Sequence, residues 1–397
     1  MIPFREALDL LVRHTPLLPA EACRIGLAAG RVLREEIRAD RAFPPFDRVM
    51  MDGYALRSAD WQAGRRSFHV TGTAPAGRPA VFLSENPGSC VEVMTGAPLP
   101  AGADSIVPLE EITRPGGDEI LIDGSAEVVA GSFIHRAASD AAAGEVLLRP
   151  GTLLGSSEIA VAAACGAAVL QVSCLPRITV VATGDELVAV DAAPQPHQIR
   201  QSNAHAIDCA LRRAGYPPRH AATLGDDARA SASILLDELA RCDWLVLTGA
   251  ISQGARDFLP ALLDRHGTRL FHGVAQRPGK PAGCWLGPAG QVIVALPGNP
   301  VAALTGLHVF VLPALAVASG MPRPVARQVI PLGRLEGLPH MTHHLPVTLG
   351  ADGRARAAAT GNSGDMIGLL KSDGFITLPP REEIPGISSA HPFTPWL

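Results

Sequence analysis

Hydrophobic positions follow three successive textures along the chain. The first is helical: "MIPFREALDLLVRHT" sets Phe4, Ala7, Leu8 and Leu11 on one face with Pro3 suited to a first turn, and the helical reading extends to Ala29. From Ala42 to about Gly144 short β-type runs alternate with turn clusters ("SFHVTGTAPAGRPA", "CVEVMTG", "SIVPLEEI", "DEILIDG"), which predicts a mainly β module. A second helical run, "SSEIAVAAACG", follows, with serine at its start and Gly166 placed to end it. Helical segments on both sides mark the β module as an insertion.

From Pro176 the pattern becomes an alternation. Strands are expected at "RITVVATG", "DWLVLTG", "RLFHGVAQ" and "VIVALPG", and helices at "NAHAIDCALRRAG", "DARASASILLDELARC", "DFLPALLDRHG" and "VAALTGLHVFV". Strands this apolar belong to a parallel-type sheet covered on both faces, and such sheets bind ligands beyond the carboxyl ends of their strands. After "SGMPRP" short extended runs return and predict a terminal β domain. The fold class is therefore α/β multidomain, divided as 1–42 with 144–175 (a mixed helical linker domain), 43–143 (inserted, mainly β), 176–319 (α/β) and 320–397 (C-terminal β).

Composition narrows the functional classes. At 397 residues the chain exceeds the size of a single undivided core. No uninterrupted apolar run reaches the ~20 residues of a membrane span, and the nearest, Leu304 to Val317, is broken by Pro313. Seven scattered cysteines without a CxxC pair point to reduced thiols in the cytoplasm rather than to disulfides or a zinc site. A net charge of −4 excludes an extended nucleic-acid footprint, so any anion site is local.

Four motifs sit at predicted strand ends. In "VVATGDELV", Thr183 and Gly184 precede Asp185 and Glu186, carboxylates suited either to Mg²⁺ or to capping a helix. In "WLVLTGAISQGARDF", Gly249 lets backbone approach a ligand, with Ser252 beyond it, and Asp257 is a further acid or simply a helix cap. "AQRPGKPAG" sets Arg277 and Lys280 on a proline-glycine turn, an oxyanion clamp or solvated surface, and it lacks the Ser/Thr and spacing of a Walker loop. In "LPGNPVAAL", Pro297 ends a strand, Gly298 permits close approach, Asn299 is placed to cap, and Pro300 gives up an N–H that a helix start would leave orphaned. The N–H groups of Val301 and Ala302 then favour a phosphate-like anion. Elsewhere, "FPPFDRVMMDGYAL" and "VEVMTGAPLPAGAD" place Asp52 and Thr95 among turn residues, functional loops or tight turns alike. "HMTHHL" groups His340, His343 and His344 with no carboxylate or thiolate beside them, a poor metal set.

In order, "PPFDRVMMDGYAL", "VMTGAPLPAGADSIVP", "TGDELV", "SNAHAI", "RPGKP", "LPGNPVAA" and "TGNSGDM" resemble the molybdopterin molybdenumtransferase family, which is also related to the gephyrin E domain. The likeness runs from about Phe4 to Pro380. It implies a homodimer of four-domain subunits with a molybdopterin-binding-like α/β domain, a small β-barrel-like C-terminal domain, and an active cleft shared between subunits. The implied reaction is Mg²⁺-dependent insertion of molybdate into adenylylated molybdopterin with release of AMP, in the cytoplasm. Transient contact with a molybdopterin adenylyltransferase and with molybdoenzymes is also implied, and neither nucleic acid nor membrane is. The competing readings are a molybdopterin adenylyltransferase and a non-catalytic carrier or scaffold.

Carried onto this chain, the family's essential acids fall on Asp52, Asp140 ("HRAASD"), Glu186 and Asp257, with Thr95 a further functional position. Metal binding falls to Asp185, Glu186 and Asp257, and the molybdate pocket to Arg277, Lys280 and Ser363. Substrate binding falls to Thr183, Gly184, Gly249, Ser252, Gly298, Asn299 and Pro300. Several carboxylates facing so anionic a substrate make sense when a divalent cation bridges them. The chain departs from the family pattern in several places. "GAISQGARDF" has Ala250 and Ala255 where glycine and glutamate are usual, and Arg277 replaces a common lysine. Gln201 replaces a common aspartate, and His344 is the nearest stand-in for an expected arginine.

Overall fold

A computed structural model describes the whole chain except residues 226–227, 253–257, 334, 336, 359–361 and 384–388. The chain divides into two compact units, one formed by Met1–Glu35, Pro150–Gly155 and Val169–Leu397, the other by Glu36–Arg149 and Ser156–Ala168.

The larger unit is built on a six-stranded sheet in the spatial order His220–Leu224, Ile178–Thr183, Trp244–Thr248, Val292–Leu296, Gly283–Leu286, Thr268–His272. The first four strands are parallel and the last two antiparallel, so the sheet is mixed rather than parallel throughout. The run "RLFHGVAQ" breaks at Gly273, whose φ of +86° turns the chain out of this sheet. Val274–Arg277 then pairs with Ile2–Pro3 and Thr342–Leu349 in a second, seven-stranded sheet. That sheet draws two strands from outside 320–397 and runs as an open path, so among the described residues hydrogen-bonded strands do not close the expected barrel. Its edges are short, Ile2–Pro3 and Arg327–Val329, which leaves little unpaired backbone to recruit a closing strand.

Both faces of the six-stranded sheet are covered, as its apolar strands require. Val180, Ala182, Trp244, Val246, Val294 and Leu296 turn to one core with the helices Phe4–His14, Asn203–Arg213 and Pro300–Ala318. Val181, Leu245, Leu247, Ile293 and Ala295 turn to the other with Leu235, Leu239, Leu259 and Leu263. Two expectations fail here. The N-terminal helix ends at His14 because Pro16 forces Thr15 into extended backbone (φ −77°, ψ 118°), and Ala20–Arg24 is instead a strand paired with Val169–Ser173. Pro313 does not break its helix: Leu307–Val311 widens into a π-turn, with the Leu312 N–H on the Leu307 carbonyl, which gives the proline ring room. The resulting helix Pro300–Ala318 is apolar (mean hydropathy 2.1) and 78% buried, a core helix.

The smaller unit is a six-stranded sheet in the order Ser105–Pro108, Gly53–Leu56, Ser89–Val93, Ser67–Ala74, Glu119–Ile122, Ile112–Gly116. Gly53 is obligatory, since a Cβ there would lie 2.0 Å from the Val107 carbonyl oxygen. All seven cysteines are free, and burial pushes the Cys90 and Cys242 thiols up to about 12, the behaviour of inert core residues.

Candidate active site

The four parallel strands end in register. Thr183 lies opposite Leu224, Ala182 opposite Thr248, and Thr248 opposite Leu296, so the segments after Thr183, Thr248 and Leu296 leave the sheet along one edge. Ile178–Thr183 is flanked by the next strand in the chain, His220–Leu224, on one side and by the one after it, Trp244–Thr248, on the other, so the strand order reverses here, the switch point where such sheets open a crevice. Backbone bonds tie the turns together, Gly184 N–H to the Leu224 carbonyl (3.0 Å) and Gly249 N–H to the Leu296 carbonyl (3.1 Å). Gly249 has φ +95°, and a Cβ on it would stand 2.2 Å from the Thr183 oxygen, so no other residue fits between these strand ends. Ala250 follows in the left-handed region, φ +48°, which a side chain adopts only at a cost.

A cleft of about 1170 Å³ opens over this edge. Thr183, Gly184 and Glu186 line it from one turn, Gly249 and Ser252 from the next, and Gly298, Asn299 and Pro300 from the third. Arg277 and Lys280 enter from a different structure, the loop leaving the seven-stranded sheet, where Arg277 pairs in register with His343. Ser363 completes the wall. Among the described charged residues that line it, Arg200, Arg277 and Lys280 outnumber Glu186, a balance that favours an anion. A second cleft of about 1120 Å³ is lined by charges of both signs, among them Arg323 paired with Asp9 at 2.6 Å, so volume alone does not choose between the two clefts.

The helix start at "PGNP" differs from its sequence reading. Asn299 occupies the cap position, but its side chain makes no capping bond and donates from Nδ2 to Ser363 Oγ (2.9 Å). The Val301 N–H is not free; it donates to the Ser363 carbonyl at 3.2 Å. Ser363 thus clamps the helix start, and its hydroxyl hydrogen remains available to an anion.

The remaining expected acids belong to the smaller unit. Asp52 Oδ1 accepts the Thr95 N–H (2.7 Å) and the Thr95 hydroxyl (2.9 Å), bonds that hold its carboxyl below the usual range. Asp140 Oδ1 accepts from His135 Nε2 (2.7 Å) and Ser139 Oγ (2.9 Å), with the same effect led by His135. Arg48 donates to His135 Nδ1 at 3.0 Å, and because arginine cannot accept, Nε2 must carry the proton given to Asp140. In both acids Oδ1 is occupied, and Oδ2 has no partner among the described residues.

Asp185 does not line the cleft, and Asp257 lies outside the described residues. No three His, Cys, Asp or Glu side chains converge as a metal cage among the described residues. His344 is no stand-in for a cation: it is fully buried, bonded to Thr377 and Gln276, and burial beside His343 lowers it to about 3. Gln201 lines the cleft, and its Oε1 accepts the Ala204 N–H at 3.2 Å where the helix Asn203–Arg213 begins. Arg200 and Asn203 also line the cleft and had no assigned role; the only signal was the place of Asn203 in "SNAHAI".

Comparison with known proteins agrees with this geometry. Residues 2–166 match the MoeA N-terminal region (domain I and II), and residues 179–317 a probable molybdopterin binding domain. The chain is 34% identical over its whole length to all of a molybdopterin molybdenumtransferase of Synechocystis sp.. It is 36% identical over 75% of its length to 75% of molybdopterin molybdenumtransferase 2 of Mycobacterium tuberculosis. The crystal structure of the molybdopterin biosynthesis moeA protein from Pyrococcus horikoshii OT3 superposes on it with a TM-score of 0.82, at 26% identity and full coverage of both chains. The chain belongs to the molybdopterin molybdenumtransferase family.

Proposed function

We propose that this chain inserts molybdate into adenylylated molybdopterin and releases AMP, a step of molybdenum cofactor biosynthesis. The observation that carries the reading is the cleft in which Arg277, Lys280 and Ser363 face glycine-rich strand ends. A tetrahedral dianion suits two cations and a hydroxyl donor, and backbone N–H groups suit a phosphate. In this reading Arg277, Lys280 and Ser363 hold molybdate beside the dithiolene, while the turns at Gly249 and Gly298 hold the phosphate end.

Mg²⁺ fits this donor set only in part. Glu186 is the one carboxylate lining the cleft among the described residues, which suits a cation that keeps waters and ligand oxygens rather than one caged by protein. Bound there, it would neutralise charge developing as the phosphoanhydride breaks. Glu186 would orient its waters, with Asp185 and Asp257 as further expected donors. The protein's remaining contribution is positioning.

We further propose that the chain acts as a cytoplasmic homodimer, with Asp52, Thr95 and Asp140 serving the cleft of a second copy. Their open Oδ2 atoms are suited to orienting a water or a proton at the phosphoanhydride. The four-part division of the chain read from sequence is part of the same proposal.

The test is incubation of purified protein with adenylylated molybdopterin, Mg²⁺ and molybdate, following AMP and cofactor that activates an apo-molybdoenzyme. Both products are expected, and both are lost in Asp52→Ala. Tight pterin binding without AMP would make the chain a carrier. Formation of the adenylate from ATP and molybdopterin would make it an adenylyltransferase.

A further inference from the structure

The turn Pro297–Pro300 has only two N–H groups, those of Gly298 and Asn299. Both residues are exposed and line the cleft, and neither N–H has a partner among the described residues. The carbonyls of the same two peptides are held. Thr248 Oγ1 donates to the Pro297 carbonyl at 3.0 Å, and Asn203 Nδ2 donates to the Gly298 carbonyl at 2.7 Å. Asn203 Nδ2 also donates to Thr248 Oγ1 at 3.1 Å. The hydrogens close: the amide has two and the hydroxyl one, and all three are used.

In a trans peptide C=O and N–H point in opposite directions, and the cis bonds of this chain lie elsewhere, at Phe43–Pro44 and Arg277–Pro278. Holding both carbonyls on one side therefore turns both N–H groups to the other. The anchors come from separate elements, Asn203 from the first turn of Asn203–Arg213 and Thr248, 2% exposed, from the end of Trp244–Thr248. Neither anchor needs to touch the ligand.

We propose that Asn203 and Thr248 are positioning residues that fix the Gly298 and Asn299 N–H groups as a two-donor cradle for phosphate oxygens. This rests on the proposed function for the identity of the phosphate carrier, the pterin or the adenylate. Preset donors bind without reordering a glycine turn, and a freed turn loses that advantage.

The test uses the full chain with four variants. Thr248→Val keeps shape and removes the hydroxyl, Thr248→Ser restores it, and Asn203→Asp keeps shape and removes the donors. Arg277→Ala serves as a control at the molybdate end. Thr248→Val and Asn203→Asp are expected to weaken molybdopterin or AMP about tenfold, the affected ligand naming the phosphate. Thr248→Ser should stay within about twofold of wild type, and molybdate affinity should change only in Arg277→Ala. Equal losses in Thr248→Val and Thr248→Ser, or unchanged binding in Thr248→Val and Asn203→Asp, would overturn the proposal. Inorganic phosphate followed at the Gly298 and Asn299 amide resonances reads the cradle without any pterin. Shifts in wild type and Thr248→Ser that vanish in Thr248→Val support it even if molybdopterin does not bind, and equal shifts in all three overturn it. A wild type that binds no molybdopterin would instead sink the functional reading.

Discussion

Thr95 spends both of its donors on a single oxygen of Asp52, its N–H at 2.7 Å and its hydroxyl at 2.9 Å. The carboxylate is thereby held by one atom and offered by the other. Both bonds favour the ionised form and lower the pKa of Asp52. Thr95→Val removes the hydroxyl and should move that pKa up towards the ordinary value of ~3.9, read by the carboxyl resonance in an acid titration. The stabilisation from this pair is present above the unfolded pKa and is lost as pH falls through the folded one. Asp52 stays ionised at neutral pH in both proteins. Any loss of AMP release there therefore reports position rather than charge.

Lys280→Ala should raise the molybdate concentration for half-maximal insertion by about tenfold or more while leaving pterin binding near wild type. Both are read from AMP release at varied molybdate and from pterin titration. An unchanged molybdate requirement would remove Lys280 from the oxyanion site.

If Asp52 serves a second copy's cleft, Asp52→Ala and Lys280→Ala should rescue each other when assayed at molybdate too low for Lys280→Ala alone to turn over. Mixed Asp52→Ala and Lys280→Ala subunits form dimers of which about half are hybrids, each with one intact cleft, so about a quarter of wild-type activity should return. No recovery after confirmed subunit exchange would show that each chain completes its own site.

Ala250 holds a left-handed φ of +48° that costs an alanine roughly 1–2 kcal/mol. Ala250→Gly removes that cost and adds about 0.5–1 kcal/mol of backbone entropy on folding. The expected net is a slight rise in melting temperature, checked by calorimetry. A clear fall would mean that the Ala250 methyl packs favourably enough to offset the strain.

Burial keeps His344 neutral, its pKa lowered to about 3, and it lowers His308 as well. The unfolded chain takes up those protons near the free histidine pKa of ~6.5. The stability is therefore complete above that value and falls with decreasing pH, for His344 by about 1.4 kcal/mol per pH unit down to its folded pKa, with His308 adding in the same direction. His344→Gln should flatten this acid limb in melting temperatures measured from pH 7 to 4. An identical slope would assign the acid sensitivity to other groups.

The sequence by itself determined the family and most elements of the α/β region. Apolar runs such as "RITVVATG" and "DWLVLTG" could only be strands buried on both faces, and helix and strand periods are local properties of the chain. It also named Arg277, Lys280, Gly249 and Gly298 as site residues, since cations on rigid turns and glycines at strand ends carry their own chemistry. Tertiary structure alone decided partnership. The break at Gly273 sends Val274–Arg277 into another sheet and so brings Arg277 to the cleft from a different direction than Thr183 and Gly298. It assigned Asn299 and the Val301 N–H to Ser363, and buried His344, the nearest stand-in for an expected arginine. It also gave Asn203 and Thr248 the carbonyls of the "PGNP" turn. Hydrogen-bond partners and burial depend on residues far apart in the chain, and a periodic pattern read along one stretch contains neither.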